Sequence, residues 1–219
     1  MAIGGGARFG PVARFEDLIL ELADVPRPRF CFVPTAKAHE PERIDEFYAA
    51  FAIRDCEPSH LQLFGLPEEP AAQVEAQDVV YVGGGNTANL LALWEVHGIG
   101  AALRAVWERG GVLAGWSAGA NCWFEDSITD SFGPRLRALG KGLGFLRGSF
   151  CPHYDGEPER RKLFTMLVAK GFTPGLAADD DAAFVFEGTE LREVVAQRAR
   201  ARGYRVTAEG EEPLEARLL

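Results

Sequence analysis

Val112-Leu113-Ala114-Gly115-Trp116-Ser117-Ala118-Gly119-Ala120 is a short apolar run that breaks into Gly-x-Ser-x-Gly and continues in small residues. Strands of a parallel sheet are buried on both faces and read as near-continuous apolar segments. The stretch therefore predicts a strand, a tight turn and a helix start, with Ser117 on the turn. Gly115 and Gly119 let the backbone turn without a Cβ clash. On such an elbow the hydroxyl stands clear of the sheet, and the next N–H, that of Ala118, lies at a helix N-terminus where it can meet a developing oxyanion. The implied chemistry is that of a serine nucleophile. The bland alternative for the motif alone is a plain strand-to-helix turn.

Working outward, apolar strands alternate with helical patterns. Residues 30–34, 60–64 and 79–82 read as strands, and residues 42–51, with Ile44, Phe47, Tyr48 and Phe51 on one face, as a helix. Helices follow at 87–96 and 101–109, and the nucleophile strand runs from Val112 to Gly115. Residues 158–170 read as a helix, with Pro158 suited to its first turn. Short strands are expected at 183–186 and 191–195. The tail, residues 204–219, reads as a hairpin around Glu209-Gly210. The pattern predicts an α/β fold with a doubly wound, mainly parallel sheet, helices on both faces and antiparallel additions near the C-terminus. Ligands of such sheets collect at the carboxyl ends of the strands, so the loops after Val33, Val82 and Gly115 should converge.

Composition bounds the function. The chain has 219 residues, 47% hydrophobic and 25% charged, which suits one globular domain over residues 1–219. A net charge of -9 argues against nucleic acid as a partner. No apolar run is long enough for a membrane span, and residues 1–10 lack the pattern of a signal peptide. Cys31, Cys56, Cys122 and Cys151 form no C-x-x-C pair and read as reduced, buried thiols of a cytoplasmic protein. Neither a zinc motif nor clustered histidines occur, so no metal or cofactor is expected. The oligomeric state stays open, a homodimer being one option.

Three further motifs could complete a site. Gly83-Gly84-Gly85-Asn86-Thr87 follows a strand, where glycines permit close backbone approach to a ligand and Asn86 or Thr87 can cap a helix. It offers an oxyanion donor and a substrate edge; a ligand-free glycine turn is the alternative. Gly4-Gly5-Gly6 follows almost no strand and is a weak signal. A serine needs a base. His153, in Cys151-Pro152-His153-Tyr154-Asp155, follows the serine in chain order as elbow enzymes require. His39 lies after a strand and could line the site. His60 is remote from the glycine loops, and His97 suits a helix C-terminus. Asp179-Asp180-Asp181, bounded by apolar residues, can supply the carboxylate that orients the histidine. An acidic turn is its ordinary reading, and Asp126, Asp130 and Asp155 are rival acids.

Taken together, Gly83 to Thr87, Gly115 to Asn121, Pro152-His153 and Asp179-Asp180, with Phe32-Val33-Pro34-Thr35-Ala36, resemble the serine peptidase family of dipeptidase E (aspartyl dipeptidase) and cyanophycinase. The match runs in order over most of the chain. The resemblance implies a fold similar to class I glutamine amidotransferases, with serine in place of their cysteine, and short peptides as substrates. It implies Ser117 as nucleophile, His153 as base and Asp180 as acid, with Asp179 the acid after a one-residue slip and Asp130 a fourth member. It places the oxyanion and substrate-binding groups at Gly84, Gly85, Asn86 and Ala118. Family members specific for N-terminal Asp hold that side chain with an arginine after the base histidine. Here the spacing is shorter, and Arg160 takes that place.

Overall fold

A computed structural model describes residues 1–6, 9, 14–65 and 67–219. The first half is strand–helix alternation: β1 (Ala2–Ile3), α1 (Arg14–Ala23), β2 (Arg29–Val33), α2 (Pro41–Phe51), β3 (Glu57–His60), α3 (Pro70–Glu75), β4 (Val79–Val82), α4 (Thr87–His97), α5 (Ile99–Glu108), β5 (Val112–Trp116) and the single turn α6 (Ala118–Asn121). The second half is mostly strand: β6 (Phe124–Thr129), β7 (Arg137–Gly140), β8 (Leu146–Cys151), α7 (Pro158–Ala169), β9 (Gly175–Ala178), β10 (Ala182–Glu187), β11 (Glu190–Ala196), β12 (Gly203–Thr207), β13 (Gly210–Leu214) and β14 (Ala216–Leu218). Helices α2, α3 and α7 each begin on proline, whose missing N–H is no loss at that position.

The larger sheet has the order β14-β11-β10-β1-β5-β4-β2-β3. Strands β1, β5, β4, β2 and β3 are mutually parallel, and β10 and β11 are antiparallel additions. Alternate residues serve opposite faces. Phe30, Phe32, Val79 and Tyr81 pack with Phe15, Ile19, Phe47 and Phe51 of α1 and α2. Cys31, Val33, Val80 and Val82 pack on the other side with Leu90, Trp94, Leu103 and Val106 of α4 and α5. That second cluster also takes in Phe124, Leu146, Phe150 and Ala178 of a second sheet, ordered β13-β12-β9-β8-β6-β7. Helix α7 covers this sheet through Phe164 and Val168, against Cys151, Ala177 and Val206.

The mixed α/β architecture follows the expected plan, and a six-stranded second sheet is added to it. Residues 124–129, 146–151 and 175–178, read from sequence as no element, supply three of its strands. Residues 126–140 form a β-hairpin, in which Asp126 to Thr129 pair with Arg137 to Gly140. The strand expected at 60–64 lies earlier, at Glu57–His60. Its register is dictated by β2, where Arg29 pairs with Glu57 and Phe32 with His60. Leu61 and Leu63 are apolar because they are buried beyond the strand's end. The tail hairpin is present as β12 and β13, but the chain then leaves it. Strand β14 crosses back to pair with β11 in the larger sheet.

Candidate active site

Strand β5 ends at Trp116, and Ser117 takes φ 53°, ψ −113° before α6 begins. Only surrounding contacts hold a non-glycine residue in such a strained conformation. Here β1 supplies them: Gly115 N–H donates to Met1 O at 3.2 Å and Ser117 N–H to Ile3 O at 3.0 Å. Both elbow glycines are required by close approach. A Cβ at Gly115 would overlap the Gly119 carbonyl, and one at Gly119 the Val82 carbonyl.

His153 follows β8 and Pro152, with φ 54°. Its Nε2 lies 2.9 Å from Ser117 Oγ, and its Nδ1 lies 2.7 Å from Asp180 Oδ1. Asp180 sits in the turn that carries the chain from β9 in the second sheet to β10 in the first. The three residues therefore meet where the two sheets join. The hydrogen bond from His153 holds the Asp180 carboxyl below the usual carboxylate range, against a rise from burial; the nearby His153, Arg198 and Arg160 charges add to the lowering. An anionic Asp180 favours the tautomer with the proton on Nδ1, an arrangement in which Nε2 can accept a proton from Ser117 Oγ.

The other candidate acids are placed elsewhere. Asp179 is buried and accepts Arg202 N–H at 3.0 Å through Oδ2, while Oδ1 has no partner among the described residues. Burial, then the Asp155 charge, push its pKa up to about 6. Asp130 is exposed and meets Arg160 at 3.8 Å. Arg160 itself is buried at the base of α7, donating to Glu157 Oε2 at 2.7 Å and to Ile128 O at 3.2 Å. A guanidinium so engaged is a structural tie, not an open receptor. His39 pairs with Gln62 at 2.7 Å, and His60 with Tyr48 at 2.8 Å. The four cysteines are free and buried, and burial raises the Cys122 and Cys151 thiols well above their ordinary range.

The loop after β4 reaches the serine. A Cβ on Gly84 would stand 3.3 Å from Ser117 Cβ. Among the described residues no acceptor takes the Gly84 N–H. The Ala118 N–H opens α6, where an amide has no helical acceptor. Gly85, at φ 139°, packs onto the Ala36 carbonyl, joining the loops after β2 and β4. Asn86 caps α4 by accepting Asn89 N–H at 2.9 Å, and its Nδ2 donates to Ser131 O at 2.9 Å. Its side chain is thus spent on the scaffold. A cleft of about 680 Å³ is lined by Asp130, Arg135, Leu136, Gly156, Glu157 and Glu159, among others; Ser117, His153 and Asp180 do not line it, and Gly156 links it to Asp180. Gly156 adjoins Asp180 directly: a Cβ there would stand 2.5 Å from Oδ2. Among the described residues no group of His, Cys, Asp and Glu could hold a metal ion, and no helix is long and apolar enough to cross a membrane.

The amino-terminal glycines are the part of the site that sequence reading undervalued. A Cβ on Gly5 would overlap Asp180 Oδ1 and His153 Nδ1. The signal was there, as three consecutive glycines, but the two-residue strand preceding them is too short to register as a pattern.

The sequence model of peptidase family S51 matches residues 1–194. An uncharacterized peptidase, YgaJ, of Bacillus subtilis (strain 168) is 48% identical over 206 residues, covering 93% of this chain and 89% of its own. Peptidase E of Escherichia coli (strain K12 / DH10B) is 45% identical over 109 residues, 46% of this chain and 48% of that protein. The crystal structure of a peptidase from an acI-B1 actinobacterium superposes with a TM-score of 0.75 at 21% identity, over 98% of this chain and 93% of that one.

Proposed function

The chain belongs to peptidase family S51, and from that premise we propose that it is a serine exopeptidase of short peptides working through an acyl-enzyme. Ser117 Oγ attacks the scissile carbonyl while His153 Nε2 takes its proton. Asp180 stabilises the imidazolium and fixes the ring. His153 then hands the proton to the leaving amine, and water repeats the sequence on the acyl-enzyme. The amides of Gly84 and Ala118 receive the oxyanion; losing one such donor costs roughly 10²–10³ in rate. The observation that carries this reading is the unbroken chain Asp180–His153–Ser117, at 2.7 and 2.9 Å. The scheme calls on no metal or cofactor. Four free, buried thiols favour a reducing compartment, and we place the enzyme in the cytoplasm as one catalytic domain.

An N-terminal aspartate preference needs an open cation in the cleft. Arg160 is buried and paired, whereas Arg135 lines the cleft and is exposed. The test is hydrolysis of a peptide panel containing Asp-X and Ala-X dipeptides, β-linked Asp–Arg and simple esters, by the wild type, Ser117→Ala and Arg135→Ala. Loss of all hydrolysis in Ser117→Ala, with phosphonate labelling confined to Ser117 in the wild type, is expected. Undiminished turnover by Ser117→Ala defeats the reading. A folded wild type that neither labels nor hydrolyses anything is a binding module. Turnover of β-Asp–Arg or esters alone makes it a cyanophycinase-like amidase or an esterase. Selective loss of Asp-X turnover in Arg135→Ala identifies the acidic-residue receptor.

A further inference from the structure

The acid of the proposed triad sits on a short turn, and a turn holds a carboxylate in place only if something holds the turn. From this geometry we infer that Arg198 and Asp155 form a brace that positions Asp180, and through it His153; the inference rests on the triad reading above. Asp155 Oδ1 accepts the Asp180 N–H at 2.8 Å. Arg198 Nη2 donates to Asp155 Oδ2 at 2.6 Å and to the Asp180 carbonyl at 3.0 Å, and Nε donates to Asp181 Oδ2 at 3.3 Å. One planar guanidinium thus spans both sides of the turn, which a lysine's point charge cannot fully reproduce. Asp155 lies two residues after His153, in a segment already held by the His153 N–H on Gly4 O and the Tyr154 N–H on Ala178 O, so the brace ties the acid turn to a fixed point.

The neighbours of Asp180 are tied to the scaffold, but its own N–H and carbonyl are taken, among the described residues, by Asp155 and Arg198 alone. Asp181 N–H donates to Gly5 O at 3.0 Å and Gln197 N–H to Asp181 O at 2.9 Å, so residues 197 and 198 follow the turn side by side. Asp181, at φ 65°, is in the left-handed region that a β-carbon disfavours, and needs such outside support. Arg198 is exposed, and exposed ion pairs add little to global stability. Its removal should therefore leave the fold intact while letting the turn shift. Arg198 lies beyond residue 194, where the family match ends.

The experiment measures kcat and KM on the best peptide of the panel for Arg198→Gln, Arg198→Lys and Asp155→Asn, each with and without Asp180→Ala. Arg217→Gln, which cuts an exposed pair with Glu193 and touches neither the brace nor the triad, controls for simple loss of surface charge. Misplacing a catalytic group by about 1 Å can cost on the order of 100-fold. Arg198→Gln and Asp155→Asn are expected to lower kcat roughly 10- to 100-fold with KM unchanged, and Arg198→Lys to recover part of it. On the Asp180→Ala background neither should have any further effect, because the brace acts only through that carboxylate. Unchanged kcat, or an equal loss with and without Asp180, overturns the inference. Proton NMR of the full chain gives a readout that needs no turnover: the low-field resonance of the His153 Nδ1 proton should weaken or shift in Arg198→Gln and stay put in Arg217→Gln. An inactive wild type with that resonance responding to Arg198 keeps the brace and sinks the peptidase reading; an active enzyme indifferent to Arg198 does the reverse.

Discussion

At the scale of single residues, the site depends as much on what is absent as on what is present. Gly5 is buried against His153 and Asp180 with no room for a methyl group, yet its own backbone is not in the left-handed region. Gly5→Ala is therefore compatible with the chain's path and incompatible with the relay. We expect it to fold and to lose kcat by roughly 100-fold, through displacement of the imidazole from Ser117. Steady-state kinetics, with a circular dichroism melt as the folding check, decide it. A kcat near wild type would show that the relay tolerates a methyl group there.

Asn86 shows how one element end organises two others. As the cap of α4 it satisfies the Asn89 amide, and through Nδ2 it anchors Ser131, at the tip of the β6–β7 hairpin. Ser131 Oγ in turn accepts the Ala88 N–H at 3.2 Å. The hairpin tip and the glycine loop are thereby fixed to one helix N-terminus beside the cleft. Replacing a cap by alanine costs about 0.5–2 kcal/mol. For Asn86→Ala we expect a loss near the upper end, because the tie to Ser131 goes as well. Denaturant unfolding measures it, and faster amide exchange at residues 130–133 would report the freed tip. A midpoint unchanged from wild type would show that water replaces both bonds at no loss.

At the scale of the whole molecule, buried acids set the response to pH. Glu16, in the first turn of α1, is buried, accepts the Tyr81 hydroxyl at 3.0 Å, and is pushed by burial up to about 7; Asp179 is moved in the same direction. An acid whose folded pKa lies above its unfolded value binds more protons in the folded state. Its stabilising share is complete below the unfolded value of 4.5 and is lost as pH rises through about 7. We expect Glu16→Gln, which keeps an acceptor for Tyr81, to flatten this decline. At pH 8 it should be more stable than wild type by on the order of 2–3 kcal/mol, with the advantage gone near pH 4. Thermal melts of both proteins across that range settle the sign. An advantage that grows toward acid would contradict it.

The sequence by itself determined the tight turn at Ser117, the candidate histidine and the acid turn. Those features are local: an apolar strand running into Gly115-Trp116-Ser117-Ala118-Gly119, a histidine after a strand, and three consecutive aspartates. It also determined the strand–helix alternation of the first half, because strands buried on both faces leave an unbroken apolar run such as Val79 to Val82. The tertiary structure alone decided which aspartate meets His153. Asp179 and Asp180 are adjacent and chemically identical, and only the turn's path sends one into a buried pocket and the other to His153. It alone decided that Arg160, which resemblance offered to the substrate, is tied to Glu157. It alone brought Gly5, Asp155 and Arg198 to one place from positions far apart in the chain. The second sheet escaped pattern reading because β6, β8 and β9 carry neither a clean apolar alternation nor an unbroken apolar run, and β7 is short and largely exposed. Pairing partners distant in sequence, rather than local propensity, make them strands.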